Sequence, residues 1–339
     1  METFSPETQA LIKKFCKGKT HLKLTVGTLV NGETNFKMFD GDGEIPFESY
    51  AYEIGSMTKS FVGLMLAKNI HEGIMSLDDP ISKYVDGLDT SKYFPTLRRL
   101  VTHTAGYGSI PLTGKDYAKF VFNDIFKGSI NGGRLPLHMD LNKMTALLRK
   151  TPVEDKAYPW KYSNFGIGVL GYAIGAASGK GYWETMNDFL HNELGLKQTF
   201  TGITPDKVLQ GYDRKNQNIG NWVWSKDNYF APAGDLRSTA ADLLAYAKMN
   251  MNEEKPYMAM AHKKHADLSK EWNQGLGWLQ DANNHNAIYG MGGTGAFYSF
   301  LGIDKQEKAA CVVLSNYLII DLKHIIGRAI LNDLQSMAK

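Results

Sequence analysis

Ser56-Met57-Thr58-Lys59 sets a hydroxyl and an amine one helical turn apart, so both side chains can face one point. A serine hydroxyl is a weak nucleophile until a neighbour removes its proton. A lysine three residues on can do so if burial lowers its pKa far enough for it to accept one. The same spacing recurs at Ser336-Met337-Ala338-Lys339, so the pattern alone carries little weight. Context separates the two copies. Ser56 follows Tyr52-Glu53-Ile54-Gly55, and Lys59 opens the apolar run Phe61-Val62-Gly63-Leu64-Met65-Leu66-Ala67. That reads as a turn feeding a buried helix, with the serine in its first turn and Gly73 at its end. The second copy reads as a fraying tail with a solvated lysine.

Working outward, an amphipathic helix is expected from about Pro6 to Cys16. Leu22 to Leu29 and Thr34 to Phe39 alternate around Asn31-Gly32, which is a hairpin signal because Asn-Gly accepts the positive φ of a tight turn. From Pro80 to about Gly220 helical periodicity dominates, over Thr96 to Val101, Tyr117 to Phe126, Met144 to Arg149, Phe165 to Ala177 and Tyr182 to Leu190. Strand patterns return at Gly275 to Leu279, Ala287 to Gly290, Gly295 to Ile303 and Ala309 to Leu314, with a turn at Lys305-Gln306-Glu307-Lys308 and a last helix from about Leu322 to Met337. Strands at both ends with helices between them predict an α+β protein. One antiparallel sheet, flanked by the N- and C-terminal helices, would be built from 1–80 and 221–339, with a mainly helical domain, 81–220, inserted and the active site between them.

Composition excludes several classes. At 43% hydrophobic and 22% charged, the 339-residue chain is an ordinary globular one. A net charge of +3 with no basic, aromatic-interleaved block argues against nucleic acid as a partner. Cys16 and Cys311 make no disulfide framework and read as buried small hydrophobes, with a pairing left open. No His, Cys and carboxylate cluster has metal-binding spacing, so neither metal nor cofactor is expected. The glycine-broken stretch Phe165 to Ala177 is shorter than the roughly 18 residues of a membrane span. The N-terminus reads as amphipathic helix rather than signal peptide. The chain as given is therefore expected to be soluble and cytoplasmic, or extracytoplasmic if a leader once preceded it, and its oligomeric state is not legible.

Two further segments carry chemistry. Tyr162-Ser163-Asn164 offers a phenol that can relay protons and an amide that can hold a carbonyl or a lysine; in extended chain the two would project to one side. Gly290-Met291-Gly292-Gly293-Thr294-Gly295-Ala296-Phe297 lets backbone approach a ligand, and its N–H groups could face an oxyanion. The blander readings are a tyrosine packed at a loop–helix junction and a flexible turn. A phosphate loop fits poorly, since no Gly-Lys-Ser/Thr follows.

In this order, Ser-x-x-Lys, Tyr-x-Asn and a glycine-rich strand resemble the penicillin-recognising serine hydrolases. Tyrosine in the second motif resembles the class C β-lactamase branch, with its D,D-carboxypeptidase, D-aminopeptidase and esterase relatives. Leu77-Asp78-Asp79-Pro80, Leu100-Val101-Thr102-His103-Thr104-Ala105-Gly106, Ala233-Gly234-Asp235-Leu236-Arg237-Ser238-Thr239 and Gly275-Leu276-Gly277-Trp278 agree. The resemblance implies a β-lactamase/transpeptidase-like fold and a serine hydrolase working through an acyl-enzyme on an ester, amide or peptide. It makes Ser56 the nucleophile and Lys59 with Tyr162 the proton-transfer pair. Asn164, Gly292, Gly293 and Thr294 become substrate-binding or oxyanion residues, the hole being the N–H of Ser56 and one near Gly293. The alternative is a penicillin-binding, acyl-trapping sensor with little turnover. One departure stands out: the third motif usually begins with Lys or His, and this chain has Gly290 there, or Met291 if one residue is deleted. That favours substrates lacking a carboxylate at that place. His103 reads as structural, and no carboxylate stands out as a deacylating base.

Overall fold

Both ends of the chain meet in one sheet. In this computed structural model, which describes residues 4–109, 133–134, 138–202, 208–317 and 325–338, Leu24–Val30 (β1) pairs with Glu33–Phe39 (β2) on one side and with Ala309–Ser315 (β13) on the other, all antiparallel. The hairpin turns at Asn31 and Gly32, with φ of 52° and 84°, the double positive φ that sets β1 and β2 in register without a bulge. Glu44–Ile45 (β3) closes that edge. Short pairs are made by Tyr52–Glu53 (β4) with Arg237–Ser238 (β7) and by Gly133–Arg134 (β5) with Asn221–Trp222 (β6). Ala266–Asp267 (β8), Trp272–Gln274 (β9), Leu279–Asp281 (β10), Ala287–Gly293 (β11) and Tyr298–Asp304 (β12) complete the sheet in the order β3-β2-β1-β13-β12-β11-β10-β9-β8.

The helices are Pro6–Cys16 (α1), Thr58–His71 (α2), Leu97–Val101 (α3), Leu141–Lys150 (α4), Asn164–Ser178 (α5), Tyr182–Asp188 (α6), Ala240–Asn252 (α7), Met258–His262 (α8) and Ile325–Met337 (α9). The sheet is covered on both faces. Leu24, Val26, Cys311, Val313 and Phe300 face α1 and α9, while Leu29, Val312, Leu314, Leu301 and Ile303 belong to the core under α2 and α7. Double coverage is why β12 and β13 are buried at every residue and why neither alternates apolar with polar along its length. Each fully buried Leu or Val there contributes about 1.5–3 kcal/mol. On the inner side the apolar core runs on without a break into Leu97, Phe165, Leu170 and Ile174 of the helical segment.

The α+β architecture, with an antiparallel sheet flanked by the N- and C-terminal helices and helices inserted in the middle, is the one expected; both terminal helices lie on the same face. Some elements differ. Of the strand expected over Gly275 to Leu279, only Leu279 is strand, opening β10; Gly275 to Trp278 is the turn joining β9 to β10, in which Gly275 N–H bonds the Trp278 carbonyl at 2.9 Å and Gly277 has φ of +73°. The alternation Gly-Leu-Gly-Trp imitates a strand, but Gly277 sits there because a Cβ would lie 2.0 Å from the Lys59 carbonyl oxygen. β11 runs to Gly293 rather than Gly290, and β12 starts at Tyr298 rather than Gly295. The helix expected over Tyr117 to Phe126 lies outside the described residues, as do residues 322–324 at the start of the last one. Cys16 and Cys311 are both buried and free. No described helix is long and apolar enough to cross a membrane.

Candidate active site

Ser56 lies in a single 3₁₀ turn, Gly55–Met57, that runs into α2. Backbone and side-chain bonds fix this turn from two directions. Ile54 N–H donates to the Leu236 carbonyl at 3.0 Å, and its own carbonyl accepts from the Ser299 hydroxyl at 2.7 Å. On the sheet side β11 presses against the turn: a Cβ on Gly292 would stand 2.0 Å from the Ile54 oxygen and 2.7 Å from the Ser56 nitrogen. Only glycine allows that approach. Of the glycine-rich segment, Gly290 to Gly293 is the ordered end of β11, paired Gly292 to Ser299 and Gly293 to Tyr298, and Thr294 to Phe297 joins it to β12.

Lys59 stands one turn on and is almost wholly buried. Its Nζ is 2.9 Å from Ser56 Oγ and 2.6 Å from the Ala233 carbonyl oxygen. Burial pushes its pKa below the ordinary lysine value, with Tyr162 pulling the other way. An amine held partly towards its neutral form, with a hydroxyl against it, can accept that hydroxyl's proton.

Tyr162 comes from the other side. Its hydroxyl is 2.6 Å from Ser56 Oγ, and its ring lies 4.9 Å from Lys59 Nζ, close enough for a cation–π attraction. The residue after it holds it in place. Ser163 caps α5 by accepting from Gly166 N–H at 2.9 Å, and its own N–H donates to His103 Nδ1 at 3.2 Å. Tyr158 and Lys161 N–H groups bond the Thr104 and His103 carbonyls, both at 2.9 Å. His103, in the left-handed region at φ 61°, is buried with its pKa pushed down to about 3 by desolvation and the nearby Lys59 charge. It is therefore a neutral acceptor at ordinary pH, the structural role expected of it. Its ring packs 5.0 Å from that of Tyr162.

Ser56, Lys59 and Tyr162 are thus brought together from two separated stretches of chain. The other expected site residues divide. Gly292 and Gly293 lie against the Ser56 turn. Asn164 begins α5, and its amide donates to Ser109 Oγ at 3.0 Å; Ser163, between it and Tyr162, is extended at φ −138° and ψ 105°. Thr294 is buried, and its hydroxyl accepts from Phe297 N–H at 3.3 Å. Gly290 and Met291 are told apart by the pleat. Met291 packs with the α1–α9 side, whereas a Cβ on Gly290 would point inward, 3.2 Å from Met57 Cγ and 3.9 Å from the Trp278 ring. The inward place is therefore Gly290, with Met57 and Trp278 closing over it. Ala233, whose carbonyl meets Lys59, was missed as a functional residue; a backbone acceptor leaves no side-chain signature. No group of three or more potential metal ligands occurs among the described residues.

Residues 48–323 match the family model described as Beta-lactamase, and the chain belongs to that family. It is 26% identical over 269 residues to a β-lactamase of Pseudomonas fluorescens, covering 75% of this chain and 68% of that protein. It is 24% identical over 282 residues to protein flp of Staphylococcus aureus, covering 78% of this chain and 52% of that one, so it spans about half the length of that relative. Among solved structures, a class C β-lactamase from Rhodobacter sphaeroides superposes with a TM-score of 0.75 at 18% identity, over 98% of this chain and 99% of that one. The fold is that of the class C branch.

Proposed function

We propose that the protein is a serine hydrolase that acts through an acyl-enzyme on an ester, amide or peptide. The observation that carries this reading is the contact of Ser56 Oγ with both Tyr162 Oη at 2.6 Å and Lys59 Nζ at 2.9 Å. Ser56 attacks the carbonyl carbon as its proton passes to the Lys59–Tyr162 pair. The tetrahedral oxyanion is stabilised by the N–H groups of Ser56 and of a residue near Gly293, worth about 3–4 kcal/mol per donor. The proton returns through Tyr162 to the leaving group as the tetrahedral carbon collapses, and water then cleaves the acyl–serine ester. The crevice lies between the sheet portion, 1–80 and 221–339, which supplies Ser56 and Lys59, and the helical portion, 81–220, which supplies Tyr162.

Gly290 places no cation on the inward face of β11, where Met57, the Ser60 hydroxyl and the Trp278 ring close over it. Substrates without a carboxylate there fit better than carboxylated β-lactams.

A fluorophosphonate is expected to label Ser56 and no other serine, as read by peptide mass spectrometry; an unlabelled Ser56 refutes the reading. Supplied with nitrocefin and a short-chain p-nitrophenyl ester, the protein is expected to turn over the ester faster. A stable adduct with no turnover would instead assign it as an acyl-trapping binder.

A further inference from the structure

The stretch from Ala231 to Leu236 runs along the segment that carries Ser56 and Lys59, bonding Ile54, Thr58 and Lys59. The Ala233 carbonyl accepts from Lys59 Nζ at 2.6 Å. Leu236 holds the chain on both sides of Ser56: its carbonyl takes Ile54 N–H at 3.0 Å and its N–H donates to Thr58 Oγ1 at 3.2 Å. Pro232 docks on α5, where a Cβ on Gly171 would come within 2.2 Å of the proline ring. Between Ala233 and Leu236 lies Asp235, 1% exposed. One of its carboxyl oxygens accepts from Tyr182 Oη at 3.0 Å, the other from the Thr201 hydroxyl, and its N–H bonds the Ala231 carbonyl at 3.0 Å. A carboxyl buried this deeply is unfavourable unless it is hydrogen-bonded, and no proton-transfer step described above uses it.

We propose that Asp235 is a positioning residue of the active site. It ties the Ala231–Leu236 stretch to Tyr182 and Thr201, so that the Ala233 carbonyl holds the Lys59 amine with its lone pair turned towards Ser56 and Tyr162. The proposal rests on the reading of Ser56 as nucleophile. A neutral amine has two N–H bonds and one lone pair; giving one N–H to a fixed carbonyl stops rotation about the Cε–Nζ bond. The groups facing the Asp235 carboxyl are Tyr182 of α6, the Thr201 hydroxyl and Arg237 of β7. Burial outweighs their pull and raises its pKa to about 7. Around neutrality it changes from a carboxylate that accepts from both hydroxyls to an acid that must donate to one of them.

The test is the rate of fluorophosphonate labelling at Ser56, followed from mildly acidic to alkaline pH for the wild type, Asp235→Ala, Asp235→Asn and Tyr182→Phe. Asp235→Ala is expected to slow labelling by about 10- to 100-fold, the cost of a misplaced reacting group. It should also move the alkaline midpoint to lower pH, because a carbonyl acceptor favours the charged amine. Asp235→Asn, the same shape with an acceptor for Tyr182, should restore most of the rate, and Tyr182→Phe should slow it by several-fold with the midpoint moving the same way. Labelling of Asp235→Ala at the wild-type rate and midpoint overturns the proposal. So does a fall that only matches the folded fraction lost, read by near-UV circular dichroism, with the midpoint unmoved. Should Asp235→Ala not fold, Tyr182→Phe decides by the same two readings. A wild type that takes no label refutes the serine reading itself; a labelled wild type beside unaffected variants overturns this proposal alone.

Discussion

At the scale of single residues, Lys59 is the most informative. Among the described residues its neighbours within reach are a hydroxyl, a phenol ring and a carbonyl oxygen, with no carboxylate. Burial lowers its pKa below 10.5, and the neutral amine is the form that can take the Ser56 proton. The labelling rate at Ser56 is therefore expected to rise with pH and level off with a midpoint below the ordinary lysine value. Lys59→Ala should cut the plateau by about 10²–10⁴-fold, the usual contribution of a positioned acid–base group. Thermal unfolding should stay cooperative in that variant. Undiminished labelling would remove Lys59 from the mechanism. The linkage to stability has the same sign. Since the folded pKa lies below the unfolded one, the unfolded chain binds more protons between the two values, and stability gains with rising pH across that window.

At the scale of elements, the site exists because three pieces of backbone press on the 3₁₀ turn and on the start of α2 that follows it. These are β11 at Gly292, the β9–β10 turn at Gly277 and the Ala233–Leu236 stretch. Gly292→Ala tests the first. Its new Cβ would meet the Ile54 carbonyl at 2.0 Å, so strand and turn must part. Overpacking of this kind costs about 1–3 kcal/mol, to be read as a lowered urea midpoint with an unchanged slope. Labelling of Ser56 should fall further than the loss of folded protein explains. A variant as stable and as reactive as the wild type would show that β11 does not hold the serine.

At the scale of the whole molecule, the buried Glu53–Arg237 pair joins β4 to β7 directly behind the site, with N–O 3.6 Å and both side chains almost fully enclosed. Glu53 also accepts from Trp222 N–H at 2.7 Å. Removing one partner strands the other charge, so Arg237→Leu is expected to cost about 3–5 kcal/mol in chemical denaturation near neutral pH. Burial already raises the Glu53 pKa even with Arg237 present. A folded pKa above the unfolded one means stability is greatest in acid and is lost as pH rises through the folded value. The deficit of Arg237→Leu should therefore shrink at acid pH, where the carboxyl is neutral. An equal deficit at all pH values would mean that lost packing, not stranded charge, is responsible.

Local chemistry alone determined much of this protein. The Asn31-Gly32 hairpin, the apolar helix opening at Ser56, the capping of α5 at Ser163 and the apolar strands near the C-terminus are written in short-range pattern. They foretold the antiparallel sheet, whereas the meeting of Ser56 and Lys59 with Tyr162 was expected from the resemblance of their motifs to the penicillin-recognising serine hydrolases. Tertiary structure decided what pattern cannot express. Gly275-Leu276-Gly277-Trp278 alternates like a strand yet turns, because a helix backbone lies against it. Asn164 finds a partner at Ser109, distant in the chain, that no local spacing announces. The pleat of β11 chose Gly290 over Met291 as the inward residue, since a strand's two faces are assigned by its neighbours. The Ala233 carbonyl and the Asp235 carboxyl reach the site only through folding: one is backbone, common to every residue, and the other acts through bonds to Tyr182 and Thr201, distant in the chain.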